Sequence, residues 1–233
     1  MNRIAAVMKK QFKDTIKNLM TLVPFLLFPV VAFIFTEFVA KQSPDLPDNY
    51  FVAIFGAMST GYVPIVNMAS IISEEREKKS LRMLIMSNVK PFEYLIGVGV
   101  SQLLLCMLAA TVYGLIGGYS RADFPRFMLV MVVGALASLF LGSAVGVSSK
   151  SQSAAHALAM PFAIIVGLTP MIAMFNDSFA EIVKVLYTQQ ISLMIGDVSA
   201  SNVTFGRFAI IGANMLVFLL VFILTYRKVD LKD

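Results

Sequence analysis

The chain has 233 residues, 58% of them hydrophobic and only 14% charged, with a mean hydropathy of +0.80; a domain that folds in water carries about a quarter charged residues, so lipid is the consistent solvent. The formal charge of +5 does not point to nucleic acid, because the basic residues lie beside apolar runs and not along one stripe. Those runs do not alternate, as Leu22 to Phe35 shows, which excludes a transmembrane barrel; the one cysteine, Cys106, excludes an intrachain disulfide and reads as a small core residue.

Residues 2–18 open the chain. Ile4, Met8, Phe12, Ile16 and Leu19 recur at three- or four-residue spacing, and Lys9, Lys10, Lys13 and Lys17 cluster away from that stripe. This is the pattern of a basic amphipathic helix lying on an anionic membrane surface; a helical extension of the first span is the alternative. The apolar stretch from Leu19 to Val39 is too long for a signal-peptide core and no small-x-small site follows it, so it reads as a retained span.

The apolar pattern predicts an all-α membrane protein with six spans, at 19–40, 51–72, 94–118, 126–148, 154–175 and 206–226, each near the ~20 residues that cross a hydrocarbon core. Pro161 and Pro170 interrupt the fifth, and Pro24, Pro29 and Pro64 kink others. Proline is tolerated there when neighbours satisfy the carbonyls it frees. Loops 41–50 and 119–125 are short and polar. Segment 176–205 is longer, with Phe179, Ile182, Val183 and Leu186 at helical spacing. It is predicted to form one or two short outer helices, since structureless loops of this length are uncommon; an ordinary outer loop is the alternative. With both termini cytoplasmic, only Lys41, Arg121, Arg126, Lys184 and Arg207 of the 19 lysines and arginines fall outside, which the positive-inside rule favours.

The most informative stretch, 73–94, lies between the second and third spans. Ser73 reads as a helix N-cap, followed by Glu74, Glu75 and Glu77 in a first turn where the helix dipole favours negative charge. Lys78, Lys79 and Arg82 come next, Leu81, Leu84 and Ile85 give an apolar edge, and Asn88 and Pro91 end this helix and start another. A docking element for a cytoplasmic partner and a charge run that enforces topology both fit this composition.

The run Glu75-Arg76-Glu77-Lys78-Lys79-Ser80-Leu81-Arg82-Met83-Leu84, after a second span and behind a basic amphipathic N-terminal helix, resembles the motif E-R-E-x-x-(small)-L-R-x-L of ABC-2 type ABC transporter permeases. Ser80 stands where that family commonly has glycine, and Thr188-Gln189-Gln190 where it often has a proline-containing turn. The resemblance implies that 73–92 holds a coupling helix docking on a separate ABC ATPase subunit through Glu75, Arg76, Glu77, Leu81, Arg82 and Leu84. It also implies that a second permease subunit pairs with this one, as a homodimer or with a paralogue. The helices between spans five and six would then line the exit side.

No GxxxxGK[ST] loop is present, so ATP and magnesium would belong to the partner ATPase and no cofactor to this chain. A second class is an intramembrane hydrolase. Glu74 and Glu75 are like the paired glutamates of CAAX-type proteases, but the one histidine, His156, cannot build a multi-histidine zinc site. A serine–histidine pair with Ser151 or Ser153 lacks the supporting groups a nucleophile needs. A third class, an ion-coupled transporter or channel, usually carries ionisable groups at mid-membrane. Here the span centres hold uncharged Asn67, Gln102 and Asn214, which bond to neighbouring helices or, for Asn67 and Gln102, line a path. The reading that results is a permease subunit exporting a hydrophobic or amphipathic compound, a membrane-active peptide or antibiotic, across the plasma (inner) membrane. Export of polysaccharide or lipid-linked glycan is the alternative.

Overall fold

The computed structural model describes residues 3–78 and 90–228. Its described residues form nine α-helices and no strand: α1 (Arg3–Lys17), α2 (Leu19–Phe38), α3 (Tyr50–Glu77), α4 (Pro91–Ile116), α5 (Phe124–Ser148), α6 (Gln152–Ala173), α7 (Asp177–Val183), α8 (Tyr187–Gly196) and α9 (Phe205–Lys228). Six of them, α2 to α6 and α9, are long and apolar enough to cross a membrane, as the apolar pattern predicts.

The core is built around α3, which packs against α2, α4, α5, α6 and α8. Lipid tails are as apolar as leucine, so helices associate in a membrane through close packing of small residues. The α5 helix supplies them every fourth position, at Gly134, Ser138, Gly142 and Gly146. A Cβ on Gly142 would lie 2.6 Å from the Ile65 carbonyl oxygen and 3.0 Å from the Ile65 Cα, and one on Gly146 3.0 Å from the Ala69 carbonyl oxygen. The two backbones meet there with no room for a side chain.

Two prolines inside the core free carbonyls that neighbouring helices then bind. Proline has no N–H for the carbonyl four residues before it. Pro64 thus frees the Thr60 carbonyl, which accepts from the Ser138 hydroxyl of α5 at 2.6 Å. Pro170 frees the Val166 carbonyl, which accepts from the Thr188 hydroxyl of α8 at 2.7 Å. The Tyr187 hydroxyl bonds Ser138 in turn, so one chain of hydroxyls joins α8, α5 and α3.

That second bond explains the segment between the fifth and sixth spans. It does form two short helices, α7 and α8. Yet α8 is sunk into the bundle, with Tyr187, Thr188, Ile191, Met194 and Ile195 fully buried. The α9 helix leans on α5 and α8 and leaves most of its surface bare, with Ile211 its one fully buried residue. Leu216, Leu220 and Leu224 stand exposed along it, the face an outer helix turns to lipid.

The α1 helix runs beside the first turns of α4: Arg3 lies 4.0 Å from Glu93, Val7 packs at Gly97, and Thr15 accepts from Gln102 at 3.1 Å. Asn67 of α3 donates to the Thr21 carbonyl near the start of α2 at 2.9 Å. The α3 helix still has the residues from Met68 to Glu77 to run past that level, about 15 Å at 1.5 Å per residue. Its end, with the acidic motif, therefore stands beyond the start of the first span.

Candidate functional site

The candidate site is this projecting end of α3. The 73–94 reading needs one correction. Ser73 does not cap a new helix; it is buried inside α3, and its hydroxyl donates back to the Ala69 carbonyl at 2.8 Å. The helix continues to Glu77 because Ile71 and Ile72 stay buried in the core. Glu74, Glu75 and Glu77 thus sit at a helix C-terminus, where the dipole disfavours negative charge. A cation answers Glu74 and another Glu75, and a backbone N–H answers Glu77.

Glu74 pairs with Lys78 one turn on, which raises the Lys78 ammonium above its ordinary value. Glu75 pairs with Lys10 of α1 at 2.8 Å, and Lys10 also lies 3.8 Å from Asp14. The Arg76 guanidinium donates to the carbonyls of Val147 and, at 2.8 Å, Ser149, where α5 ends. Glu77 accepts the Gln152 N–H at 2.8 Å, in the first turn of α6. Consecutive residues of opposite charge thus meet the negative end of one helix and the positive end of the next, each favourable. Gln152 also donates to Ser70 of α3 at 2.8 Å. Three adjacent motif residues therefore fasten α3 to α1, to α5 and to α6.

Between α1, the start of α2 and the end of α3 lies a cleft of about 270 Å³ lined by Lys10, Asp14, Asn18, Glu74, Glu75 and Lys78 among others. Leu81, Arg82 and Leu84 lie outside the described residues. Asn67 and Gln102 are buried, and their bonds join α3 to α2 and α4 to α1; neither opens on a surface of the single chain. Asn214 donates to the Val185 carbonyl at 2.8 Å.

The Ser151 hydroxyl accepts the Ala154 N–H as the cap of α6. Among the described residues no hydrogen bond joins His156 to Ser151 or Ser153, and no cluster of three or more His, Cys, Asp and Glu could hold a metal ion.

What the motif can do is mechanical. Its three charged residues hold the end of α3 to three other helices at once through short polar contacts. Arg76→Ala should therefore cost about 1–3 kcal/mol, the penalty for leaving part-buried carbonyls without their donor. Thermal unfolding in detergent measures it. A loss under about 0.5 kcal/mol, the range of an ordinary surface substitution, would contradict the clamp.

Sequence reasoning missed the small-residue stripe of α5, though its four-residue spacing is the signal. It also assigned Lys10 to the membrane surface, where the structure pairs it with Glu75. That pairing has no sequence signal, since it joins positions 65 residues apart. Comparison with protein families matches residues 40–227 to the family described as ABC-2 family transporter protein. No curated protein matches the chain.

Proposed function

The chain belongs to the ABC-2 transporter family, and from that membership we propose that it is the permease subunit of an ATP-driven exporter of a hydrophobic or amphipathic compound, such as a membrane-active peptide or antibiotic. The observation that carries this reading is the Glu75-Arg76-Glu77 run at the projecting end of α3, tied to α1, α5 and α6. An ATPase subunit docks on the segment that follows, through Leu81, Arg82 and Leu84. Its movement reaches the spans through those ties. A coupling of this kind needs an element with two arrangements in each partner, and a second permease subunit completes the path. The uncharged span centres suit an apolar cargo, and the Lys/Arg bias supports cytoplasmic termini in a plasma (inner) membrane.

Inverted membrane vesicles bearing the chain and its ATPase test the substrate class. ATP-dependent uptake of a labelled membrane-active peptide is expected, and it should vanish when ATP is replaced by a non-hydrolysable analogue. Uptake of labelled lipid-linked glycan with none of peptide would overturn this choice in favour of glycan export.

A further inference from the structure

We propose that a groove between α2 and α4 holds one acyl chain of an anionic phospholipid whose phosphate is bound by Lys13 and Lys17 of α1. The groove has a volume of about 490 Å³, and every side chain lining it is apolar. Phe25 lies buried in its wall, Leu26 and Leu108 stand exposed, and it ends at Phe33 and Ile116 on one side and Ile16 on the other. From Leu22 to Phe33 the α2 part is about 16 Å long at 1.5 Å per residue. That is half of a hydrocarbon core of about 30 Å, the depth of one leaflet. The groove thus has the length, the walls and the direction of a single extended chain.

The end of the groove at Ile16 supplies the headgroup site. Ile16 belongs to α1, whose Phe12 packs against the cluster of Phe25, Val63 and Leu105 and so fixes α1 across the end of the groove. Lys13 lies one turn before Ile16, at the edge of its apolar stripe, and Lys17 follows Ile16 directly on the same edge. Both lysines are exposed, and neither forms a salt bridge among the described residues. Lys10, in contrast, is engaged by Glu75 and Asp14, and Asp14 thereby turns its charge toward Lys10. Two unengaged cations at the mouth of an apolar groove call for an anion attached to a hydrocarbon chain. A phosphocholine headgroup brings a cation of its own beside the lysines, which disfavours it.

The chain contains no tryptophan, so a single introduced one reports on its own surroundings. Leu108→Trp places it on the groove and Leu216→Trp on the open face of α9; the two leucines are 57% and 58% exposed. The full chain is reconstituted in mixed phosphatidylglycerol and phosphatidylcholine bilayers in which one lipid at a time carries brominated chains, which quench indole fluorescence. The Trp at 108 should show a roughly 5- to 25-fold preference for phosphatidylglycerol, about fivefold for each lysine near anionic lipid. The Trp at 216 should show none. Lys13→Gln with Lys17→Gln should abolish the preference while quenching by phosphatidylcholine persists.

Equal quenching at 108 by both lipids would overturn the site. So would weak quenching by either, which would mean that a second copy of the chain covers the groove. Ala109→Leu fills the groove without touching charge; a preference that survives it would mean that the lysines only gather anionic lipid at the surface, and the site would fail.

Discussion

Replacing Gly142 by leucine is expected to abolish the assembled bundle, at a cost above about 3 kcal/mol, whereas Gly212→Leu leaves it unchanged. Extra methylenes in a packed core cost about 1–3 kcal/mol when neighbouring side chains can yield. At Gly142 the obstacle is backbone: the Ile65 carbonyl oxygen would lie 2.6 Å from the new Cβ. Ile65 is itself fully buried at the centre of α3, where α3 packs against α2, α4, α5, α6 and α8. It cannot retreat without opening the core. A loss of this size consumes much of the ~5–15 kcal/mol that holds a typical protein folded. Gly212 on α9 has nothing within 4 Å of its would-be Cβ, so a leucine there displaces no packed neighbour. Size-exclusion profiles of the heated, detergent-solubilised variants measure the difference. A Gly142→Leu protein as heat-stable as the parent would show that α3 and α5 do not approach as closely as described.

Leu81→Asp should reduce ATP-driven transport at least tenfold while the chain remains inserted and folded. A few fully desolvated residues near the centre of an interface carry most of its binding energy, about 2 kcal/mol or more each, which is roughly a 30-fold change in affinity. A carboxylate at a docking anchor would add a buried, unpaired charge. ATPase activity of the partner should persist without driving export. The double variant Arg76→Glu with Glu77→Lys is a less clean probe than its sequence position suggests. It would set a carboxylate against the carbonyls of Val147 and Ser149 and an ammonium against the Gln152 N–H. The expected result is loss of stability together with loss of transport, so Leu81→Asp is the variant that separates docking from folding. Export at the parental rate in Leu81→Asp would sink the docking assignment.

The spans were legible because a ~20-residue apolar run has few other meanings. Even the short helices α7 and α8 followed from spacing and the rarity of long bare loops. The depth of α8 was not legible. It depends on Thr188 reaching the carbonyl that Pro170 frees on α6, and nothing local to either residue announces the other. The same holds for Ser138 and Pro64. The end of α3 was misplaced for a related reason. Ser73 followed by glutamates has the composition of a helix start, and only the burial of Ile71 and Ile72 against other helices carries α3 through it. Of the motif, its location was readable; that Glu75, Arg76 and Glu77 serve α1, α5 and α6 needed the tertiary structure.

The central claim is that this permease is driven by a separate ATPase gripping the segment after α3. Affinity purification of the chain from its own membrane in mild detergent tests it most directly. The account predicts stoichiometric recovery of a P-loop ATPase, lost when Leu81→Asp is the bait although the bait itself is recovered in full. Recovery of the parental chain alone across several detergents, or an ATPase still bound to Leu81→Asp, would contradict it.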